Sequence, residues 1–155
     1  MSGGSIIVLA ILVFAGVTIF KGVRIVPQGY KWIVQRLGKY HTTLTPGLSF
    51  VIPYVDEVAY KVTTKDIVMD IPSQEVITRD NAVLLMNAMA YINITTPEKA
   101  VYGIENYTWA IQNLVQTSLR SIVGEMDLDD ALSSRDHIKA KLKAAISDDI
   151  SDWGI

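Results

Sequence analysis

The residue types able to carry chemistry are few and far apart. The 155-residue sequence has two histidines, His41 and His137, and no cysteine. Without thiols there is no disulfide, thiolate nucleophile or zinc–thiolate site, and the composition suits a reducing compartment. Neither histidine has a second one at ligand spacing. Both read as surface side chains, His41 in a polar turn and His137 in the first turn of a helix. The carboxylate pairs Asp129-Asp130 and Asp148-Asp149 fall on polar helical positions and read as solvated faces. Asp66, Asp70, Glu75 and Asp80 fall at strand ends and turns, where carboxylates are routine. No Gly-rich phosphate loop, nucleophile elbow or metal-binding run is present. Aromatic and basic residues do occur together through Tyr30, Trp32, Arg36 and Lys39. They follow a hydrophobic segment directly, and membrane proximity accounts for them better than nucleic acid does. The sequence predicts no catalytic residue, no cofactor, no metal and no nucleic-acid partner.

The hydrophobic segment that precedes them runs from Ile6 to Phe20, with no charge and no proline. At about 1.5 Å rise per residue it falls short of a hydrocarbon slab about 30 Å thick. Carried through Lys21-Gly22-Val23-Arg24-Ile25-Val26 it is long enough, because Lys and Arg bury their stems and send their charge to the interface. A buried core helix would show a polar face, and only Thr18 is polar here. A cleaved signal peptide would carry a basic leader, which Met1-Ser2-Gly3-Gly4-Ser5 lacks, although Val13-Phe14-Ala15 resembles a cleavage site. A retained single-pass anchor over residues 1–26 is the expectation. Its membrane-contacting side chains would be Ile6, Ile7, Val8, Leu9, Ile11, Leu12, Val13, Phe14, Val17, Ile19 and Phe20, with Lys21 and Arg24 as interface charges. Because those two cations follow the apolar run, the positive-inside bias puts the N-terminus outside and the rest of the chain in the cytoplasm. A re-entrant hairpin would want a breaker at its middle, and no proline lies between Ile6 and Phe20, where Gly16 is the one glycine.

Charge is distributed unevenly behind the anchor. Seven basic and two acidic residues lie between Phe20 and Lys65, whereas fourteen acidic and seven basic residues lie from Asp66 onward. A basic part beside an anchor suits an anionic leaflet, where each nearby cation is worth about 1 kcal/mol. A second apolar patch, Leu48-Ser49-Phe50-Val51-Ile52-Pro53-Tyr54-Val55, is too short to span a bilayer, and Pro53 excludes a regular helix or central strand. It reads either as a buried loop or edge strand, or as a shallow contact with the membrane interface.

The remaining pattern is strands, then helices. Val26-Pro27-Gln28-Gly29 is a turn that should separate anchor from domain. Tyr30 to Leu37 reads as a strand, and Gly38 and Gly47 bracket a short second one. Val58 to Lys65 alternates, with Val58, Tyr60 and Val62 expected on one face. Ile67, Met69 and Ile71 share a face before Pro72-Ser73 interrupts. Arg79-Asp80-Asn81 marks a hairpin turn, and Val83 to Ile94 is the return strand, with Leu84, Met86, Ala88, Ala90, Ile92 and Ile94 toward the core and the opposite face partly covered. Thr96-Pro97-Glu98 opens a short helix. A second helix over Tyr107 to Val123 turns Ile111, Leu114, Val115, Leu119, Ile122 and Val123 inward. A short helix over Leu128 to Leu132 follows, then a last one begun by a capping box at Ser133 to Asp136, with Ile138, Leu142, Ala145, Ile146 and Ile150 inward.

These motifs, in this order, resemble a known family. Pro46-Gly47-Leu48, Ile52-Pro53 and Asp70-Ile71-Pro72-Ser73-Gln74-Glu75-Val76-Ile77-Thr78-Arg79-Asp80-Asn81 look like the signature of the SPFH or band 7 proteins (stomatin, prohibitin, flotillin and HflK/C). The match continues at Tyr102-Gly103, Ala110-Ile111, Leu114, Gln116-Thr117, Arg120-Ser121, Gly124, Arg135 and Trp153-Gly154-Ile155, and it is most similar to the bacterial-type, stomatin-like paraslipins. The resemblance implies an α+β fold. An N-terminal transmembrane helix precedes a mixed α/β SPFH domain of antiparallel strands with helices packed on them, divided into a membrane-proximal part over 27–65 and a distal part over 66–155. It also implies a strand and a coiled-coil region after Trp153-Gly154-Ile155 that this sequence does not contain, and so an open sheet edge.

The function that the resemblance implies is a non-enzymatic scaffold of the cell (inner) membrane. It would form homo-oligomeric rings or cages, organise lipid microdomains and associate with a membrane-bound AAA protease or an NfeD-type protein. On this view Leu48, Phe50, Val51, Ile52 and Tyr54 form a second membrane contact. A narrower role is an HflK/C-like regulator of one AAA protease. A membrane-bound protease is the rival from another class, and it lacks the nucleophile and base, or the metal site, that it would need.

Overall fold

The computed structural model describes residues 3–155. Met1 and Ser2, at the start of the expected anchor segment, lie outside them. The fold is α+β, with antiparallel strand pairing throughout. The chain divides into two compact units, Met1–Lys65 and Asp66–Ile155.

The first unit opens with helix α1 (Gly3–Gly22). The helix does not continue through Val26 as the sequence suggested. Val23–Val26 is instead a strand, β1, paired antiparallel with β4 (Gly47–Phe50). The β-branched side chains of Val23, Ile25 and Val26 favour extended backbone once a partner strand is available. The turn at Pro27-Gln28-Gly29 then follows β1 rather than ending the anchor, with Gly29 at φ 83°. Strands β2 (Tyr30–Arg36), β3 (Lys39–Leu44) and β5 (Asp56–Thr63) form a sheet in the order β3-β2-β5. Its core joins Val26, Val34, Leu44 and Val51, with Trp32 and Val58 against them.

Two bulges correct the sequence-level pattern. Ile33 pairs with Tyr60 but Val34 pairs with Val58, so Ala59 is the extra residue. Directly paired residues share a face, so Val58 points with Val34 and Trp32 into the core, opposite to Tyr60 and Val62. The alternation of Val58, Tyr60 and Val62 on one face does not survive. On the other side of β2, Val34 pairs with Thr42 and Gln35 with Tyr40. His41 is therefore the exposed extra residue of a strand, not part of a turn.

The second unit is built on the β6–β7 ribbon, β6 (Ile67–Ile77) with β7 (Val83–Ile92). Pro72 and Ser73 form a bulge: Ile71 pairs with Ala88 and Gln74 with Met86, leaving two residues against one. Helices α2 (Pro97–Tyr102), α3 (Tyr107–Gly124), α4 (Leu128–Ser133) and α5 (Arg135–Asp152) follow. One face of the ribbon packs on α3 and α5. Met69, Ile71 and Ile92 meet Ile111 and Val115, and Val76 meets Leu119, Ile122, Val123 and Ile138. The bulge re-aims Gln74 into this layer, where its amide donates to the Gln116 carbonyl at 2.9 Å and its carbonyl accepts from Arg120 at 3.0 Å. A buried amide so satisfied ties sheet to helix at one register.

Local capping differs from expectation at the start of α5. Ser134 precedes α5 without a side-chain cap, and the Ser133 hydroxyl donates back to the Asp129 carbonyl, so the capping box is not made. Asn106 caps α3 by accepting from the Trp109 amide at 3.0 Å. Ala145 is exposed rather than inward. The outward face of the ribbon is also more open than expected: Val68, Ile77, Val83, Leu85, Met89 and Tyr91 remain 53–71% exposed.

Two loops are fixed by recognisable chemistry. At the hairpin, Asn81 takes φ 64°, the Thr78 amide donates to the Ala82 carbonyl, and Asp80 accepts from the Thr78 hydroxyl and from the Leu128 amide that opens α4. These bonds hold the Asp80 carboxyl below its ordinary range, the Thr78 bond first among them. Arg79 pairs with Asp127 beside it, and Asp127 in turn raises the Arg79 guanidinium. At the end of α5 the Gly154 carbonyl accepts from the Thr95 and Thr96 amides, both at 2.9 Å. Gly154 sits at φ 75°, and a Cβ there would lie 2.6 Å from the Thr96 carbonyl. Gly154→Ala should therefore destabilise the second unit by about 1–3 kcal/mol. Thermal or denaturant unfolding in detergent measures this, and an unchanged midpoint would show that the Trp153-Gly154-Ile155 clasp carries no stability.

Candidate functional site

The residues with chemical potential do not converge. His41, His137 and the carboxylates at 129, 130, 148 and 149 are all exposed. Among the described residues no three of His, Cys, Asp and Glu come together as a metal site. Two open grooves of about 640 Å³ each flank β7 and α5, and their walls are largely aliphatic: Ala90, Ile92 and Ile146 line one, Leu84, Leu119 and Ile138 the other.

What does converge is apolar surface. On α1, the side chains Ile6, Ile7, Val8, Leu9, Ile11, Leu12, Val13, Phe14, Val17, Ile19 and Phe20 are 45–87% exposed, and none of the described residues covers them. Leaving one such side chain in water forgoes about 1.5–3 kcal/mol, so eleven together forgo on the order of 20 kcal/mol. The helix is long and apolar enough to cross a membrane. Twenty residues span about 30 Å, the thickness of a hydrocarbon core.

The apolar surface continues without a linker into the β1–β4 ribbon. Val23 pairs with Phe50 and Ile25 with Leu48, which puts all four on one face. They are 40%, 60%, 71% and 77% exposed in that order. The sequence had pointed to Leu48 and Phe50 but had absorbed Val23 and Ile25 into the helix. The Val-x-Ile alternation was the signal for them, legible only as part of a strand. Beyond β4 the chain turns at Ile52 to Val55 and carries Ile52 and Tyr54 outward, 46% and 70% exposed. Val51 is a correction. It was expected on the same surface, yet it is 5% exposed and packs with Val26, Val34 and Leu44. It lies one residue past Phe50, and strand alternation sends its side chain to the opposite, core-facing side.

Two contacts hold this surface in place. The Val51 amide donates to the Gly22 carbonyl at 2.8 Å, linking the last residue of α1 to the end of β4. A Cβ at Gly22 would lie 2.7 Å from the Phe50 ring and from the Val51 carbonyl, so the approach needs glycine. The second contact is Asp56. Its oxygens accept from Arg36 at 2.6 and 3.0 Å and from the Ile52 amide at 3.0 Å. The Arg36 bonds, then the Ile52 amide, hold the Asp56 carboxyl down at about 2, while Asp56 raises the Arg36 guanidinium. Lys21 and Arg24 open, with Tyr54 and Asp56, onto a shallow cavity of about 380 Å³ beside the helix end.

A carboxyl held below its ordinary value stabilises the fold fully above about pH 4 and loses that contribution as pH falls through its folded value of about 2. The clasp on the 52–56 turn is thus constant across the physiological range. In Asp56→Ala the Ile52 amide loses its acceptor and should exchange with deuterium about tenfold faster, the scale of one lost hydrogen bond. Mass-spectrometric exchange on the Leu48–Val55 segment checks it, and unchanged exchange would show that the turn is held by packing instead.

Comparison with known proteins bears on the whole of this arrangement. Residues 24–155 match the SPFH domain / Band 7 family. An uncharacterized protein of Methanothermobacter thermautotrophicus is 38% identical over 149 residues, covering 96% of this chain and 45% of the relative. Human stomatin-like protein 2, mitochondrial, is 38% identical over 130 residues, covering 84% of this chain and 36% of the relative. An uncharacterized protein of Mycobacterium tuberculosis is 34% identical over 152 residues, covering 98% of this chain and 40% of the relative. The chain thus spans less than half the length of these relatives. The residues matched take in the β1–β4 ribbon from Arg24 onward, the Asp56 clasp, the Gln74 bulge and the Gly154 clasp together, and the chain belongs to the SPFH domain / Band 7 family.

Proposed function

We propose that the chain is a membrane-anchored scaffold whose first unit is seated on the bilayer at two places and whose second unit serves assembly. The observation that carries this is the unbroken apolar surface from α1 into the outer face of the β1–β4 ribbon. A helix alone would tether a domain. A helix joined at Gly22 to a ribbon of exposed Val23, Ile25, Leu48 and Phe50 would also set its tilt. Lys21 and Arg24 lie where the helix would leave the hydrocarbon, at headgroup depth, which supports an N-terminus outside and both units in the cytoplasm. In this reading 27–65 is the membrane-proximal subdomain, entered directly from the anchor by β1, and 66–155 the distal one.

Assembly into homo-oligomers on the cell membrane is the second half of the proposal. It is supported by the apolar outer face of the β6–β7 ribbon, which is larger than a solitary domain has reason to expose. Such copies would gather lipid and membrane proteins, a membrane-bound protease or an NfeD-type protein among the candidates.

The double variant Phe50→Asp with Ile52→Asp separates seating from anchoring. Each change removes about 1.5–3 kcal/mol of apolar burial at the interface and leaves α1 untouched. In nanodiscs the variant should remain inserted while deuterium exchange over Leu48–Val55 rises toward that of an exposed loop. Exchange equal to the unmodified chain would remove the second membrane contact. Mild-detergent extracts of the unmodified chain should sediment as multiples of one copy, and a single-copy species at all concentrations would remove the assembly.

A further inference from the structure

The β2–β3 hairpin joins Arg36 to Lys39 through the two residues Leu37 and Gly38, which take φ 50° and φ 81°. Left-handed backbone at both central positions is the two-residue turn that matches strand twist, and its favoured first residue is Asn, Asp or Gly. Leucine there is a steric outlier. Leu37 is also 84% exposed, more than any other large hydrophobic residue of the described chain except Phe20 at the end of α1. Neither the turn geometry nor internal packing calls for leucine. By contrast Asn81, at φ 64° in the other hairpin, is a residue the turn itself prefers.

The position of this tip supplies a reason. The Leu37 amide donates to the Val55 carbonyl at 3.3 Å, and the neighbouring Arg36 is paired in two bonds with Asp56, which also holds the Ile52 amide. The tip is therefore fastened to the same turn that presents Ile52 and Tyr54. Tyr54 is the third non-glycine residue with left-handed backbone, at φ 73°, and it too is largely exposed. Two unfavourable turn residues, both largely exposed, are thus tied together through the Leu37–Val55 hydrogen bond, and Tyr54 lines the shallow cavity at the end of α1 with Phe20 and Val23. Exposed Lys39 follows Leu37 by two residues, a cation placed to meet lipid phosphate while the leucine enters the acyl boundary.

We infer that the Leu37-Gly38 hairpin tip is a further membrane-inserting finger, set with Tyr54 into the interfacial layer of an anionic bilayer. The inference rests on the seating proposed above for the β1–β4 ribbon and extends it to a segment that the hydrophobic patterning of the sequence does not reveal. The finger widens the footprint from a line, helix plus ribbon, to a triangle that resists rocking. Left-handed backbone at Leu37 and Tyr54 is then the local cost of aiming two large side chains away from the sheet.

The absence of cysteine makes the test direct. Single-cysteine variants Leu37→Cys, Phe50→Cys and Leu132→Cys of the full chain are labelled with a nitrobenzoxadiazole fluorophore and reconstituted into phosphatidylcholine–phosphatidylglycerol vesicles, with and without spin-labelled lipid. Labels at 37 and 50 should both shift to the blue and be quenched several-fold more than the label at 132. Lys39→Cys reads the same tip if the label at 37 disturbs the turn. Quenching at 50 without quenching at 37 or 39 overturns the finger and leaves the ribbon contact standing. A blue shift at 37 that spin-labelled lipid does not quench means that protein, not lipid, covers the tip, and overturns it as well. No quenching at either 37 or 50 removes the ribbon contact and the finger together. As a second readout, Leu37→Asn should raise the thermal midpoint, because Asn suits the turn, while lowering lipid quenching of a label at Tyr54→Cys. A fall in the midpoint would show that Leu37 is there for internal packing.

Discussion

The hydrogen bond from the Val51 amide to the Gly22 carbonyl is the constraint on which the first unit depends. It joins the last turn of an apolar helix to the end of a strand with no intervening linker. The β1–β4 pairing follows from it, and with that pairing every second residue on each strand is sent to one exposed apolar face. Glycine at 22 is required because Phe50 and the Val51 carbonyl already occupy the space a side chain would need. A flexible tether would have left the ribbon free to turn its apolar face inward. The direct junction gives the helix and the ribbon one orientation, and so one surface.

Charge and strain then organise what lies around that surface. Asp56 gathers Arg36 and the Ile52 amide, and its carboxyl is ionised across the physiological range. It fastens the loop after β4 to the sheet, and the adjoining Leu37–Val55 hydrogen bond draws the β2–β3 tip alongside. The second unit solves a different problem with related means. There the Pro72-Ser73 bulge turns Gln74 into the sheet–helix layer, and Asp80 and Arg79 tie the hairpin to the start of α4. In both units a single hydrogen-bonded polar side chain, Asp56 in one and Gln74 in the other, defines a register that apolar packing alone would leave loose.

Much of the architecture was legible because it rests on periodicity and turn chemistry. The order of strands and helices, the inward stripe of α3, the hairpin at Arg79 to Asn81 and the break at Pro72-Ser73 are all written in local spacing. The misreadings share a cause. Val23–Val26 looked like the tail of a helix because its partner strand lies some twenty-five residues away. The Val58, Tyr60 and Val62 alternation was broken by a bulge whose extra residue, Ala59, has nothing unusual about it. Val51 was grouped with its apolar neighbours until strand pairing sent it to the core. Leu37 was read only as the end of a strand, because a lone leucine before a glycine carries no pattern.

By itself the sequence determined the chemistry that is available: no thiol, no cluster of histidines or carboxylates at ligand spacing, one segment apolar enough for a bilayer and a basic stretch directly after it. These depend on residue type and on spacing along the chain, which no fold can alter. Tertiary structure alone decided which apolar residues share a face, which of them are spent on the core, and that the Leu37 amide is bonded to the Val55 carbonyl. Those outcomes depend on long-range strand register, and register is set by bulges and by distant hydrogen bonds such as Val51 to Gly22 and Asp56 to Ile52. A one-residue shift there exchanges the buried and exposed faces of a strand, so local spacing could name the apolar residues but could not say which of them the core would keep.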